Sequence, residues 1–342
     1  MLKVFDRRWL RQGLLWGSVL AVVVVAMLSL MGVWGERRVF ELATHFKLQY
    51  LVVSGVALVV FWVMRRRWWG GLCLVCLVAN LVAVAPWYLP RFSFGGGSEE
   101  GGLRVLVANV QASNPQYERA IALVQQEQPD IAVFMEVTAS WLQALEPLRA
   151  QLPYTLAEAR PGNFGIALYS ALPLVSAEIK AFGAYLGEER APQIPSLMVE
   201  FERGGGLVSL VATHPFPPVS PQAFRLRNRQ LTAVGNYLQG WHHPLLVVGD
   251  LNLTMWSPYH QRFIRQTGLQ NSRRGFGVLP TWPTDNPLLS IPLDHCLVSP
   301  EIKVKRTRTG RTIGSDHRPL IVDVVVRRSL ATQFRQTTTF FP

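Results

Sequence analysis

The residues of this chain with chemistry to offer come as short polar islands, each set against an apolar run. Asn109 closes "LRVLVAN" and Glu136 ends "IAVFME"; His214 follows "LVAT"; Asp250 and Asn252 sit in "LLVVGDLN"; Asp294 and His295 follow "PL", and Asp316 and His317 precede "RPLIVDV". Glu136, Asp316 and Asn109 carry the hard oxygen donors that Mg²⁺ or Mn²⁺ prefers, few enough that water and a phosphate oxygen can complete the shell. His214 and His317 can donate hydrogen bonds to a phosphoryl group while a second carboxylate holds one imidazole in the right tautomer, which leaves Asp250 to take a proton from water. That inventory suits metal-assisted phosphoester hydrolysis. Zinc fits less well, because no Cys/His cluster has ligand spacing.

Taken singly, most of these residues have a plain structural reading. Asn109 suits a turn after a strand, Asp250 suits a cap on the turn that follows it, and His214 before Pro215 suits an ordinary loop. Glu136 differs, because an acid ending a hydrophobic strand needs a cation or a hydrogen-bonded partner. His295 has no assignable catalytic position and reads as a strand residue beside the site.

The elements that must position these groups follow from the alternation of short apolar runs with amphipathic stretches. Strands are expected at "LRVLVANV", "DIAVFMEV", "NFGIALYS", "PLVSAEIKAF", "SLMVEFE", "LVSLVATHP" and "PLLVVGDLNL", near Asp294 to Val298 and Lys303 to Thr309, and in the opening of "RPLIVDV". Helices are expected over "QYERAIALVQQEQ", through Trp141 and Leu148, across Phe224 to Leu238 and near Tyr259 to Thr267. Near-continuous apolar strands imply sheets buried on both faces, and the packing expected is two stacked sheets with helices outside each. The polar islands sit at strand ends, mostly carboxyl ends, and in layered sheet proteins such ends gather on one edge.

The N-terminal third is of another kind. The 342-residue chain carries a formal net charge of +12, and 11 of its 34 Lys/Arg but only 3 of its 22 Asp/Glu fall in residues 1–97. Three uncharged apolar runs separate those charges, Leu14 to Trp34, Leu48 to Met64 and Gly71 to Leu89, each near the ~20 residues that cross hydrocarbon. They read as three transmembrane helices. Arg7, Arg8 and Arg11, with Arg65 to Arg67, then mark the cytoplasmic side, so three crossings put everything after Leu89 outside. The organisation expected is a membrane anchor over 1–90, a Gly-rich linker over 91–102, a catalytic domain over 103–328 and a tail over 329–342. Cys73 and Cys76 read as packing residues inside a helix, and no disulfide framework exists.

In order, Asn109, "FME", "THP", "GDLN", "LDH" and "SDHRPL" resemble the endonuclease/exonuclease/phosphatase superfamily, over roughly Leu103 to Val326. The resemblance implies an α/β fold, a four-layer αββα sandwich, here preceded by the three helices. It also implies roles: Glu136 on the metal with Asn109 and Asp316 near it, and Asp250 orienting or deprotonating water. Asn252 would fix the phosphate and the base, His214 and His317 would contact the phosphate, and Asp294 would orient His317. Leu251 stands where the family often has Phe, "FMEV" lacks the commoner Gln before its glutamate, and "THPFPPVSP" is unusually rich in proline.

The anchor and the His-Pro loop resemble bacterial membrane proteins of the teicoplanin-resistance type. That resemblance implies a polyprenyl pyrophosphate or phospholipid substrate and a place in the bacterial inner membrane with the catalytic domain on the periplasmic or extracellular side. Met255, Trp256, Tyr259, Phe263 and Trp282 either line a membrane-facing mouth or pack under the sheet edge; Arg225, Arg227 and Arg229, with Lys303 to Arg308, either attract anionic headgroups or form a solvated face. An anchored nuclease, whose basic residues would track a phosphate backbone, is the alternative enzyme. A sensor that no longer turns over is the alternative class, and the intact set of acids and histidines argues against it.

Overall fold

The structure is a computed structural model that describes residues 7–31, 35–90, 101–182, 185–186, 189–190, 193–241 and 243–326. The expected tail, and all but the last two residues of the expected linker, lie outside these. The chain divides into two compact units, one of 1–89 with Trp256–Pro258 and the other of 90–255 with 259–342.

The first unit is helical: α1 (Arg7–Met31), α2 (Arg38–Ala43), a 3-10 turn at Thr44–Phe46, α3 (Lys47–Val63), α4 (Arg67–Val84) and a closing 3-10 turn at Ala85–Trp87. On α3 the buried residues are Tyr50, Ser54, Ala57 and Phe61, on α4 Cys73, Cys76, Asn80 and Val84. Both sets have the three- and four-residue spacing of one helical face. They pack with Val22 and Val25 of α1, and Asn80 Nδ2 donates to Cys76 O at 2.8 Å and to Ser29 Oγ at 3.2 Å. Val52, Val56, Val59 and Trp62 point outward and stay exposed, an apolar surface that suits lipid better than water.

Three crossings were the expectation, and the structure corrects it to two candidates. Arg38–Val63 and Arg67–Trp87 are long and apolar enough to cross a membrane by length and composition. Among the described residues α1 contributes only the shorter apolar helix Leu15–Ser29, which does not count as a third candidate. The fold class of a sandwich preceded by three transmembrane helices therefore fails in its membrane part. The odd number of crossings that placed the rest of the chain outside goes with it.

The second unit is built on two six-stranded mixed sheets. In chain order its elements are β1 (Gly102–Asn109), α5 (Tyr117–Glu127), β2 (Ile131–Met135), α6 (Ala139–Ala144), a 3-10 turn (Glu146–Ala150), β3 (Tyr154–Glu158), β4 (Ile166–Ser170), β5 (Leu174–Ala181), β6 (Tyr185–Leu186), β7 (Glu189–Arg190), β8 (Pro195–Arg203) and β9 (Gly206–Thr213), then α7 (Pro221–Leu238), β10 (Leu245–Asp250), α8 (Pro258–Thr267), β11 (Gln270–Asn271), β12 (Asp294–Val298), β13 (Ile302–Thr309) and β14 (Leu320–Val326). The sheets run β13-β14-β1-β2-β4-β3 and β11-β12-β10-β9-β8-β5.

The two-residue period of a strand divides each apolar run between two layers. Val105 and Val107 of β1, Val133 and Met135 of β2, and Leu246 and Val248 of β10 face the core between the sheets. The alternate residues Leu106, Ala108 and Phe134 pack outward with Trp141 of α6 and Leu123 of α5, while Val247 packs with Leu231 and Val234 of α7 and Phe263 of α8. Helix, sheet, sheet and helix form the αββα sandwich, because the central strands of both sheets are apolar on both faces. Phe263 packs in the cluster beneath the second sheet and Met255 is buried, so these two do not line an open mouth.

Candidate active site

Strand direction explains why polar groups at both ends of apolar runs meet. β1 is parallel to β2 and antiparallel to β14; β10 is parallel to β9 and antiparallel to β12. The carboxyl ends of β1, β2, β9 and β10 thus share an edge with the amino ends of β12 and β14. Asn109 ends β1, Glu136 follows β2, His214 follows β9 and Asp250 ends β10, where it is paired in register with Asp294 at the start of β12. Asp316 and His317 lie just ahead of β14.

Asp250 is the hub. Its Oδ1 accepts from the Asn252 N–H at 2.9 Å, and its Oδ2 accepts from Asn109 Nδ2 at 3.2 Å. His214 Nε2 lies 3.5 Å and His317 Nε2 3.6 Å from Oδ2. Asn109 also donates to Glu136 Oε1 at 3.0 Å, and Glu136 Oε2 accepts from the Ala112 N–H at 3.1 Å. His317 Nδ1 pairs with Asp294 Oδ2 at 2.9 Å, and Trp282 Nε1 donates to Asp316 Oδ2 at 3.0 Å. Asn252 Nδ2 is taken by Pro215 O at 3.0 Å, so in this structure its side chain holds the His-Pro loop. Asn109 presents its amide nitrogen to both carboxylates, while its Oδ1 accepts from the Gln111 N–H at 3.0 Å.

Backbone conformation aims these groups. Gln111, Glu136 and Asn252 adopt φ of +59°, +63° and +53°, a left-handed region that costs a non-glycine residue ~1–3 kcal/mol and persists only where surroundings impose it. Gly249 has φ +142°, and a Cβ there would lie 2.0 Å from Thr213 O. The glycine of "GDLN" is thus what lets β10 run against the end of β9, beside His214. At Gly165 a Cβ would meet Val137 O at 1.8 Å, and Val137 N–H donates to Gly165 O at 3.0 Å, which fixes the turn carrying Glu136.

The charges are mutually dependent. Burial opposes the imidazolium of His317, but Asp294 and Asp250 outweigh it and raise its pKa to about 10. Burial likewise opposes ionisation of Asp250, and His317, His214 and the Asn252 N–H together hold it well below the usual carboxylate range. His214 is raised, with burial opposing and Asp250 the main favourable partner. His295 stands apart. It is buried and kept neutral by desolvation, with His260 and Arg273 adding to the effect.

The chemistry of the donors fits a hard divalent cation. Asp250, Asp294 and His317 place one ligand atom each within 4.8 Å of one another. His317 is held there as a cation between the two carboxylates, which leaves Glu136 and Asp316 as the site carboxylates not hydrogen-bonded to an imidazole and so the oxygen donors for a cation. Nothing in this donor set distinguishes Mg²⁺ from Mn²⁺.

Some contributors were not legible as site residues. Ser315 Oγ donates to Asn109 O at 2.7 Å and accepts from the His317 N–H at 3.0 Å, and Gln111 Oε1 accepts from the Asp316 N–H at 3.3 Å. Thr281 Oγ1 accepts from the Leu293 and Asp294 N–H groups at 3.0 and 3.2 Å. Arg227, read in sequence as part of a basic face, is wholly buried, and Arg308 pairs with Glu127. The signal for Arg227 lay in the spacing Phe224, Arg227, Leu231, Val234, Leu238, all buried on one stripe of α7.

Comparison with known proteins agrees with this geometry. Residues 106–317 match the model of the Endonuclease/Exonuclease/phosphatase family, and the chain belongs to that family. No curated protein matches the chain. Among solved structures, an endonuclease/exonuclease/phosphatase from Beutenbergia cavernae is similar at TM-score 0.56 and 22% identity, over 66% of this chain and 72% of that one. A family protein from Bacteroides thetaiotaomicron is similar at TM-score 0.53 and 18% identity, over 68% of this chain and 100% of that one. D. rerio TDP2 in complex with single strand DNA product is similar at TM-score 0.53 and 14% identity, over 65% of this chain and 98% of that one. At these identities the likeness is one of fold.

Proposed function

We propose that this chain is a metal-dependent phosphoesterase that hydrolyses the phosphodiester backbone of nucleic acid. The observation that carries the hydrolase reading is the convergence on Asp250 of His214, His317, Asn109 and Asn252 from separate elements. A divalent cation held by Glu136 and Asp316, with Asn109 beside them, would supply Lewis-acid polarisation of a phosphoryl oxygen. Asp250, fixed through both oxygens, orients the attacking water and accepts its proton. His317, held cationic by Asp294, and His214 donate to the phosphoryl oxygens, where negative charge grows. Asn252 holds Asp250 through its N–H and the His214 loop through its side chain.

The substrate class draws its support from the fold's likeness to TDP2 bound to a single-stranded DNA product; the chain's basic balance adds little, because most of its net positive charge falls in residues 1–97. A second reading, hydrolysis of a lipid-linked phosphate such as a polyprenyl pyrophosphate, is favoured by the two apolar helices, which would concentrate the enzyme at a bilayer. The likeness to teicoplanin-resistance-type proteins belongs to this second reading and rests on sequence features alone. Arg65 to Arg67 lie between those helices; by the positive-inside rule that turn is cytoplasmic and the chain after Trp87 lies outside.

The test is purified full-length protein in detergent with Mg²⁺, given a single-stranded oligonucleotide or polyprenyl pyrophosphate in mixed micelles. Oligonucleotide cleavage that weakens steeply with salt is the expected result. Phosphate release from the lipid alone would replace the first reading by the second, and turnover of neither would leave a sensor.

A further inference from the structure

Two consecutive carbonyls of the turn after β10 are gripped by side chains that phosphoester hydrolysis does not call for. Arg227 Nη1, on α7, donates to Asn252 O at 2.7 Å, and His295 Nε2, on β12, donates to Leu253 O at 2.9 Å. Both side chains belong to residues with no solvent exposure. Burying a guanidinium is unfavourable unless its geometry is fully used, so a position that keeps one calls for a reason.

Each gripping group is itself fixed. Arg227 Nε donates to Asn228 Oδ1 at 3.0 Å, and its guanidinium lies 5.0 Å from the centre of the Phe224 ring and 5.9 Å from that of Tyr259. Asn271 Oδ1 accepts from the Arg273 N–H at 3.0 Å, which turns its Nδ2 toward His295 Nδ1 at 2.9 Å. With Nδ1 accepting, the proton of the neutral imidazole sits on Nε2, facing Leu253 O. The turn between the two grips is the left-handed one at Asn252, whose N–H holds Asp250 Oδ1.

We propose that Arg227 and His295 are positioning residues for Asp250, clamping the Asn252–Leu253 turn from helix α7 and strand β12 so that it cannot relax out of its left-handed conformation. The inference rests on the role given to Asp250 above. A shift of order 1 Å at a reacting group is enough to cost ~100-fold in rate, whereas the turn reaches the substrate only indirectly, through the Asn252 side chain that holds the His214 loop, so kcat suffers more than KM.

The experiment uses full-length protein with Mg²⁺ and bis(4-nitrophenyl) phosphate, together with amide hydrogen exchange over residues 249–255. In His295→Leu and Arg227→Met we expect kcat to fall ~10–100-fold with KM within ~3-fold, and the amides of the turn to exchange faster. His295→Gln, which keeps a donor near Nε2, restores most of kcat and the protection; Arg227→Lys, which keeps the charge without the planar fork, restores less. If the Leu and Met variants do not fold, the Gln and Lys pair carries the test by the same two readouts. Unchanged kcat and exchange in a folded variant, or a Gln variant no better than Leu, would overturn the clamp. A wild-type chain inactive on the diester would instead count against the functional reading, and the exchange data would still decide whether the turn is clamped.

Discussion

At the scale of single residues the site depends on one carboxylate held from several directions. Asp250→Asn keeps the shape but removes the proton acceptor, and turnover should fall by ~10²–10⁴-fold with KM little changed, measured by steady-state kinetics at saturating Mg²⁺. Gly249→Ala tests the backbone beneath it: the added methyl meets Thr213 O, so β9 and β10 must part and His214 moves with them. Loss of activity at least as large as that of Asp250→Asn is expected, with a lowered melting temperature. The residues that converge on Asp250 were largely legible, because an acid, amide or histidine beside an apolar run is conspicuous. Ser315, Thr281 and Gln111 were not, since a hydroxyl or amide that serves backbone groups of other segments looks like any turn residue.

At the scale of elements the convergence comes from strand direction. The reading of strand ends as one edge holds because β12 and β14 run against β10 and β1, which brings their amino ends to the carboxyl ends of the others. Sequence patterning found nearly all the long strands, whose two-residue alternation serves two apolar layers, but not β3, which is only half-buried and carries no apolar run, nor the two-residue β11, too short to show a period. It took Arg225, Arg227 and Arg229 as one charged run, although the three- and four-residue spacing of the apolar residues around Arg227 already placed that position on the buried stripe of α7. The start of β12 offers an element-level test. Thr281→Val removes the acceptor for two buried N–H groups and should cost ~1–3 kcal/mol in denaturant unfolding, with a drop in kcat as Asp294 loses its place.

At the scale of the whole molecule, stability should record the histidines in opposite senses. His317 binds its proton more tightly folded than unfolded, so its contribution is complete below pH 6.5 and is lost as pH rises toward about 10. His260, pushed by burial to about 3, and His295 stay neutral in the fold, so their contribution is lost as pH falls below 6.5; Asp250 adds to that acid limb below the ordinary carboxylate range. Metal-free protein should therefore be most stable near pH 6.5, and His317→Gln should reduce the alkaline limb to the part carried by His214 and weaken the share of the acid limb that Asp250 owes to His317, as read by thermal melts across pH. The membrane part is where the sequence reading is corrected: among the described residues two helices, not three, are long and apolar enough to cross a membrane. Two candidate crossings and their outward valines still predict that the full chain stays with the membrane fraction after alkaline carbonate washing.

The account as a whole requires that carboxylates from distant strands serve one cation-dependent reaction. Its most direct test is a Mg²⁺ titration of phosphodiester hydrolysis by the full-length chain, wild type against Glu136→Gln. We predict no turnover in EDTA, recovery on adding Mg²⁺, and a Mg²⁺ requirement raised at least ~10-fold in the variant. Hydrolysis that persists in EDTA, or superimposable titrations for the two proteins, would contradict it.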